Sequence, residues 1–233
     1  MPRRNGRKKE SSYTPSAPEL KRIFPKNKNQ ERMLTSIANN PITFVNGAAG
    51  TGKSLLSIYS AILEIEKGNM DSILYIKPNV DMLGERGVGF LKGEIEEKLA
   101  PLLMPIHDNM KVFLSPGKAK YYLDKGIIEV GLLEYLRGRN LDRTFVLMDE
   151  LQNSTPHGVV TAYSRLTDTS KIVFMGDIQQ CDTGLHHNGL RDAFLRYKGC
   201  EGVGFIEFTE EDIVRNSFMK QLLKRYRSPL PSK

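Results

Sequence analysis

The segment GAAGTGKS, residues 47–54, sets the tightest limit on how this chain folds. It fits Gly-x-x-x-x-Gly-Lys-Ser. It sits between ITFVN (42–46), which reads as a buried strand, and SLLSIYSAILEIEKG (54–68), which reads as a helix. Gly47, Gly50 and Gly52 let the backbone curl until its N–H groups point inward, and the helix N-terminus beyond adds positive potential at the same place. With Ala48, Ala49 and Thr51 they form a cradle for a chain of phosphates. Lys53 is expected to reach the terminal phosphates and the Ser54 hydroxyl to ligate magnesium.

The order of elements around this loop follows from the same reading. A short helix in QERMLTSIANN (30–40), the strand, the loop, the long helix and a second strand in SILYIK (72–77) make a β-α-β unit. Further strands are expected at IIEV (127–130), TFVLM (144–148), KIVFM (171–175) and GFIEF (204–208), with helices between them. Strands alternating with helices imply a mainly parallel sheet covered on both faces. Residues 1–28 are rich in Pro, Ser, Asn and Lys and read as a disordered basic arm, so the folded domain is expected over 29–227, with a short tail at 228–233. Between about 78 and 126 the pattern loosens: Gly84, Gly87, Gly89 and Gly93 precede a helical stretch interrupted by Pro101 and Pro105. That reads as an insertion.

Two other strand ends carry chemistry. TFVLM runs into Asp149, Glu150 and, two places on, Gln152. Desolvating one carboxylate is unfavourable and two adjacent ones more so, which points to a bound cation or a reacting group. Asp149 suits the second magnesium anchor, through water, that a phosphate loop needs at a neighbouring strand end. Glu150 can orient and deprotonate an attacking water. KIVFM ends in GDIQQ, where the uncharged amides of Gln179 and Gln180 can contact a γ-phosphate without competing for the metal.

Charge is unevenly placed. Of a net +7, residues 1–28 hold nine basic side chains against two Glu, and residues 215–233 hold six basic and no acidic ones. The middle, 29–214, has 19 basic against 25 acidic. The basic ends suit phosphate backbones, or else form solvated tails that lie on the acidic face of a neighbouring subunit. No apolar run approaches membrane-spanning length, no signal peptide core follows the basic N-terminus, and Cys181 and Cys200 form no Cys-x-x-Cys pair. Cytoplasmic residence is the expectation. The adjacent His186 and His187 diverge on helix or strand and are not read as metal ligands; Tyr121 and Tyr122 read as helix packing, and Cys181 as a small buried hydrophobe.

Together, GAAGTGKS, Lys77-Pro78, GVGFLKGEIEEK, EYLRGRNL, MDELQN, GDIQQ and FTEEDIVRNSF resemble the PhoH family, over about Pro25 to Tyr226. That resemblance implies a three-layer, RecA-like P-loop NTPase with a single motor domain, similar to the first motor domain of superfamily one helicases. It implies ATP and Mg2+ as cofactors, Gln30 reading the adenine edge, Asp149 and Glu150 serving magnesium and water, and Gln180 as phosphate sensor. Arg215 would be the arginine that meets the γ-phosphate, supplied to a neighbouring subunit. The chain departs from the family pattern at Ala48, Ser54, Leu151 and Asn216, none of which removes a metal ligand or a charge.

A lone motor domain needs something to complete its site, and a homo-oligomeric ring, hexamer the favoured count, would do so. Two functional readings then stand. One is a nucleic-acid-stimulated ATPase, an RNA or DNA helicase in its fullest form, holding a single strand by its basic ends and by Arg86, Lys92, Arg137 or Arg139. The other is a nucleotide-dependent assembly or switch protein that unwinds nothing. A small-molecule kinase ranks third, because DE-x-Q and GD-x-x-Q suit water activation better than acceptor binding.

Overall fold

The computed structural model describes residues 20–78, 103–181, 188–214 and 217–227. Within them the chain runs α1 (Lys28–Asn39), β1 (Ile42–Asn46), α2 (Lys53–Glu66), β2 (Ser72–Ile76), α3 (103–110), α4 (Pro116–Asp124), β3 (Ile128–Gly131), β4 (Thr144–Met148), α5 (Pro156–Tyr163), β5 (Lys171–Gly176), α6 (Gly189–Arg196), β6 (Val203–Glu207) and α7 (Ser217–Arg227). The six strands form one sheet in the order β3-β2-β4-β5-β1-β6, and every pairing is parallel.

Alternation along the strands supplies two apolar faces. On one, Val45, Tyr75, Phe145, Leu147, Val173 and Met175 pack with α1, α2, α3 and α4; on the other, Phe44, Leu74, Val146, Met148, Ile172 and Phe174 pack with α5 and α6. This is the three-layer arrangement. Helix α2 is buried almost all round, residues 56–62 without a break, because it is wedged between the sheet and its neighbouring helices. Register is pinned on the opposite face by a stack of three phenylalanines. Phe44 lies 4.7 Å from Phe174 and 5.3 Å from Phe205, ring centroid to centroid, and both are its paired neighbours in β5 and β6.

All strands being parallel, their C-terminal ends share one edge. The loops after β1, β4 and β5 therefore meet there, at the point where the chain leaves β1 and crosses over β5 and β4 to reach β2.

Packing begins ahead of Asn29, the expected start of the folded part. Leu20 bridges to Leu114, the Lys21 N–H donates to the Phe113 carbonyl at 2.7 Å, and Leu20 and Ile23 lie against the core. Asn27 caps α1, its side chain accepting from the Gln30 N–H, so the helix opens two residues before the expected Gln30. Of the insertion expected at 78–126, residues 79–102 lie outside the described residues. Pro105 lies within α3. Helix α4 carries the Tyr121-Tyr122 pair expected to pack. Tyr122 is indeed buried, and its hydroxyl donates to Glu66 on α2.

Lys118 joins the same cluster, its ammonium 2.7 Å from Glu66 Oε2 and the side chain nearly buried. Burial alone would raise the Glu66 carboxyl, but the hydrogen bonds from Lys118 and Tyr122 overcome it and hold the group below its ordinary value of 4.5. A depressed carboxyl stabilises the fold above that value, and its contribution fades as pH falls through the folded-state value. Lys118→Met is expected to destabilise the protein by about 1–3 kcal/mol near neutral pH, by leaving Glu66 without its charged partner. In urea denaturation the deficit should shrink as pH drops below 4.5.

Candidate functional site

The loop after β1 takes the shape its glycines permit. Gly50 and Gly52 have φ of 87° and 94°, left-handed values that a side chain would strain. Gly47 has another reason to be glycine, since a Cβ there would come within 2.6 Å of the Phe208 Cβ. Helix α2 starts directly at Lys53, with Gly52 as an N-cap that offers no side chain, so the first N–H groups of the helix face the loop. The loop is tied down from several sides: the Gly47 N–H donates to the Gly176 carbonyl at 3.0 Å, and the Val214 N–H donates to the Gly50 carbonyl at 3.0 Å.

A cleft of about 450 Å³ opens above it. Its walls include Ala49, Gly50, Gly52, Lys53 and Ser54 from the loop, Asp149 and Glu150 from the end of β4, and Asp177 and Gln180 beyond β5. Lys26, Pro105, Asn109 and Val214 complete the rim. Their positions along the chain carry no sign of that. The Lys53 ammonium donates to the Gly47 carbonyl and, at 3.0 Å, to the Ala48 carbonyl, which keeps it at the mouth of the loop.

Ser54 and Asp149, 95 residues apart in sequence, meet here: the Ser54 hydroxyl donates to Asp149 Oδ2 at 3.1 Å. The same oxygen accepts from the Tyr75 hydroxyl at 2.9 Å, and Asp149 Oδ1 accepts from the Glu150 N–H at 3.0 Å. Tyr75 escapes a sequence reading because it looks like one more apolar residue in a buried strand. Burial first, then the adjacent Asp149 and Glu150 charges, push its hydroxyl well above the ordinary tyrosine value, so it stays a donor. Among the described residues no group of three His, Cys, Asp or Glu side chains forms a metal cage. The Ser54–Asp149 pair offers instead two hard oxygens beside the phosphate cradle, a donor set that fits magnesium sharing its remaining positions with phosphate and water.

Glu150 adopts φ 56° and ψ 37°, a conformation costing about 1–2 kcal/mol for a residue with a side chain. Its carboxylate is partly exposed to the cleft. Gln152 Nε2 donates to Glu150 Oε2 at 2.6 Å, and the Lys77 ammonium lies 4.0 Å from Glu150 Oε1. The Gln180 side chain is exposed at the cleft wall.

Gln30 is placed differently from a free reader of a base. It is buried beneath the loop, its Nε2 donating to the Thr51 carbonyl at 2.9 Å and its Oε1 accepting from the Lys26 N–H at 2.8 Å. Cys181 is half-buried, its thiol 3.2 Å from the Gln152 carbonyl, and not the fully buried hydrophobe expected. Arg215, Asn216, His186, His187, Arg86 and Lys92 lie outside the described residues.

A family model described as "PhoH-like protein" matches residues 22–227. The chain belongs to the PhoH-like family. A PhoH-like protein of Bacillus subtilis is 34% identical over 208 residues, covering 88% of this chain and 64% of that protein. The protein PhoH of Escherichia coli K12 is 32% identical over 208 residues, covering 88% and 58%. This PhoH-like chain thus spans about three fifths of the length of these relatives. Among solved structures, the large terminase of a thermophilic bacteriophage superposes with a TM-score of 0.56 at 15% identity, covering 88% of this chain and 50% of the terminase. That likeness shows the P-loop NTPase fold.

Gln30→Ala tests what the buried amide does in this PhoH-like chain. Leaving the Thr51 carbonyl and Lys26 N–H without partners should destabilise the protein by about 1–3 kcal/mol in urea denaturation. Binding of ATP and GTP should weaken together if Gln30 acts as a clamp on the loop; loss confined to ATP would show direct reading of adenine.

Proposed function

We propose that this protein is a magnesium-dependent ATPase, stimulated by single-stranded RNA or DNA and working as a helicase-like motor in a homo-oligomeric, hexameric ring. The observation that carries the ATPase reading is the 3.1 Å contact between Ser54 and Asp149 at the foot of the phosphate loop, with Glu150 beside it. The loop amides cradle the phosphates, and Lys53 turns from its loop carbonyls to the terminal phosphates. Ser54 and Asp149 would hold magnesium, which would supply charge neutralisation for the phosphates. Glu150 accepts the proton of the attacking water, and Gln180 contacts the γ-phosphate from the β5 side.

Arg215 follows directly after Val214, which lines the cleft, and we place it as the arginine finger of a neighbouring subunit in the ring. Strand binding draws on the basic ends and on Arg137 and Arg139, both exposed after β3, where Arg139 lies 3.9 Å from Glu129. Among the described residues no helix is long and apolar enough to cross a membrane, and we place the protein in the cytoplasm.

ATP turnover with and without single-stranded RNA or DNA, at several salt concentrations, tests this reading. Stimulation that fades with salt supports the motor; turnover indifferent to nucleic acid favours a nucleotide switch. Glu150→Gln should retain ATP binding and lose about 10²–10⁴-fold in kcat, whereas Lys53→Ala should lose binding or turnover. Normal hydrolysis by Glu150→Gln would overturn the role given to Glu150. Tyr75→Phe removes a donor that orients Asp149, and the magnesium concentration for half-maximal turnover should rise about tenfold.

A further inference from the structure

The amide of Gln152 joins two chain segments, 150–152 and 177–180, although it does not itself line the cleft. It is 1% exposed. Its Oε1 accepts from the Asp177 N–H at 3.0 Å, and its Nε2 donates to Glu150 Oε2 at 2.6 Å and to the Gln180 carbonyl at 3.3 Å. The orientation of the amide is fixed by chemistry. A backbone N–H can only donate, so the oxygen must face Asp177, and the NH2 group is left for the two acceptors. The glycine of GDIQQ belongs to the same arrangement: a Cβ on Gly176 would collide with Gln152 Oε1.

Glu150 needs such a hold. It has a left-handed backbone, its side chain is 39% exposed, and its ion-pair partner, Lys77, stands 4.0 Å away. We propose that Gln152 is a positioning residue that fixes the Glu150 carboxylate for its work on water and makes that position depend on the 177–180 loop. Movement of the loop on contact with a γ-phosphate alters the partners of the same NH2 group that holds Glu150, so base and sensor move together. This rests on the reading of Glu150 as the group that activates water.

The test is steady-state ATP turnover and ATP-analogue binding by the full chain carrying Gln152→Ala, Gln152→Glu or Gly176→Ala, each alone and combined with Glu150→Asp. Gln152→Ala should lower kcat about 10²-fold, as for a misplacement of about 1 Å, with KM and analogue affinity little changed. Gln152→Glu keeps the shape but replaces the donor with an acceptor facing a carboxylate, and should lose at least as much. Gly176→Ala displaces the amide without removing it and should reproduce the loss, which covers the case in which a Gln152 variant fails to fold. In the Glu150→Asp background the shorter carboxylate no longer reaches the amide, so Gln152→Ala should add no more than about a threefold loss.

Full kcat in Gln152→Ala, or losses that multiply fully in the Glu150→Asp background, would overturn the proposal. Glu150→Gln run alongside separates the two failures. If it is inactive while Gln152→Ala is normal, only the positioning role falls; if it is active, the role of Glu150 falls first.

Discussion

A loop that turns its N–H groups inward to face phosphate must turn carbonyl oxygens outward, and those oxygens need donors from elsewhere. The architecture around residues 47–54 supplies them. Thr51 takes its donor from Gln30 on α1, Gly50 from Val214 after β6, and Ala48 from the Thr51 hydroxyl and Lys53. Asp212 links the first two of these struts: its side chain accepts from Asn29 and from the Thr209 N–H, and its carbonyl accepts from Asn27. The first helix, the segment after the last strand and the loop are therefore one hydrogen-bonded unit.

The parallel sheet sets where chemistry can be placed. With β5 lying between β1 and β4, the acidic pair after β4 stands one strand away from the loop, close enough for Ser54 to touch Asp149 yet leaving room for Gly176 and Asp177 between them. Tyr75 on β2 supports Asp149 from the far side. Four strands thus converge on one carboxylate and its neighbour, a convergence no single loop could provide.

Much of this is legible from local pattern. The strand-loop-helix around GAAGTGKS, the strand cores and the acidic ending of TFVLM depend on residues close in sequence, and the structure reproduces them within a residue or two. The start of α1 is not legible in this way. Its cap, Asn27, sits in a stretch whose composition resembles a mobile arm, and contacts with the segment that follows α3, with the core and with Asp212 make 20–27 part of the body. The Gln30 side-chain amide offers an oxygen and an NH2 group that either a base or a backbone could satisfy, and nothing local distinguishes the two. Lys26, Asn109 and Val214 reach the cleft from chain segments with no pattern of their own.

Spacing along the chain is enough to specify the phosphate loop, the alternation that makes a two-sided parallel sheet, and Lys53, Ser54, Asp149 and Glu150 as candidate groups, which the structure gathers at one cleft. It does not specify that Gln30 braces the loop, that Tyr75 holds Asp149, or that the Gln152 amide joins Glu150 to the end of β5; those contacts exist only once the sheet and helices have assembled. A hydrogen bond requires donor and acceptor within about 3 Å in space, and for partners many residues apart the order of amino acids carries no record of that distance.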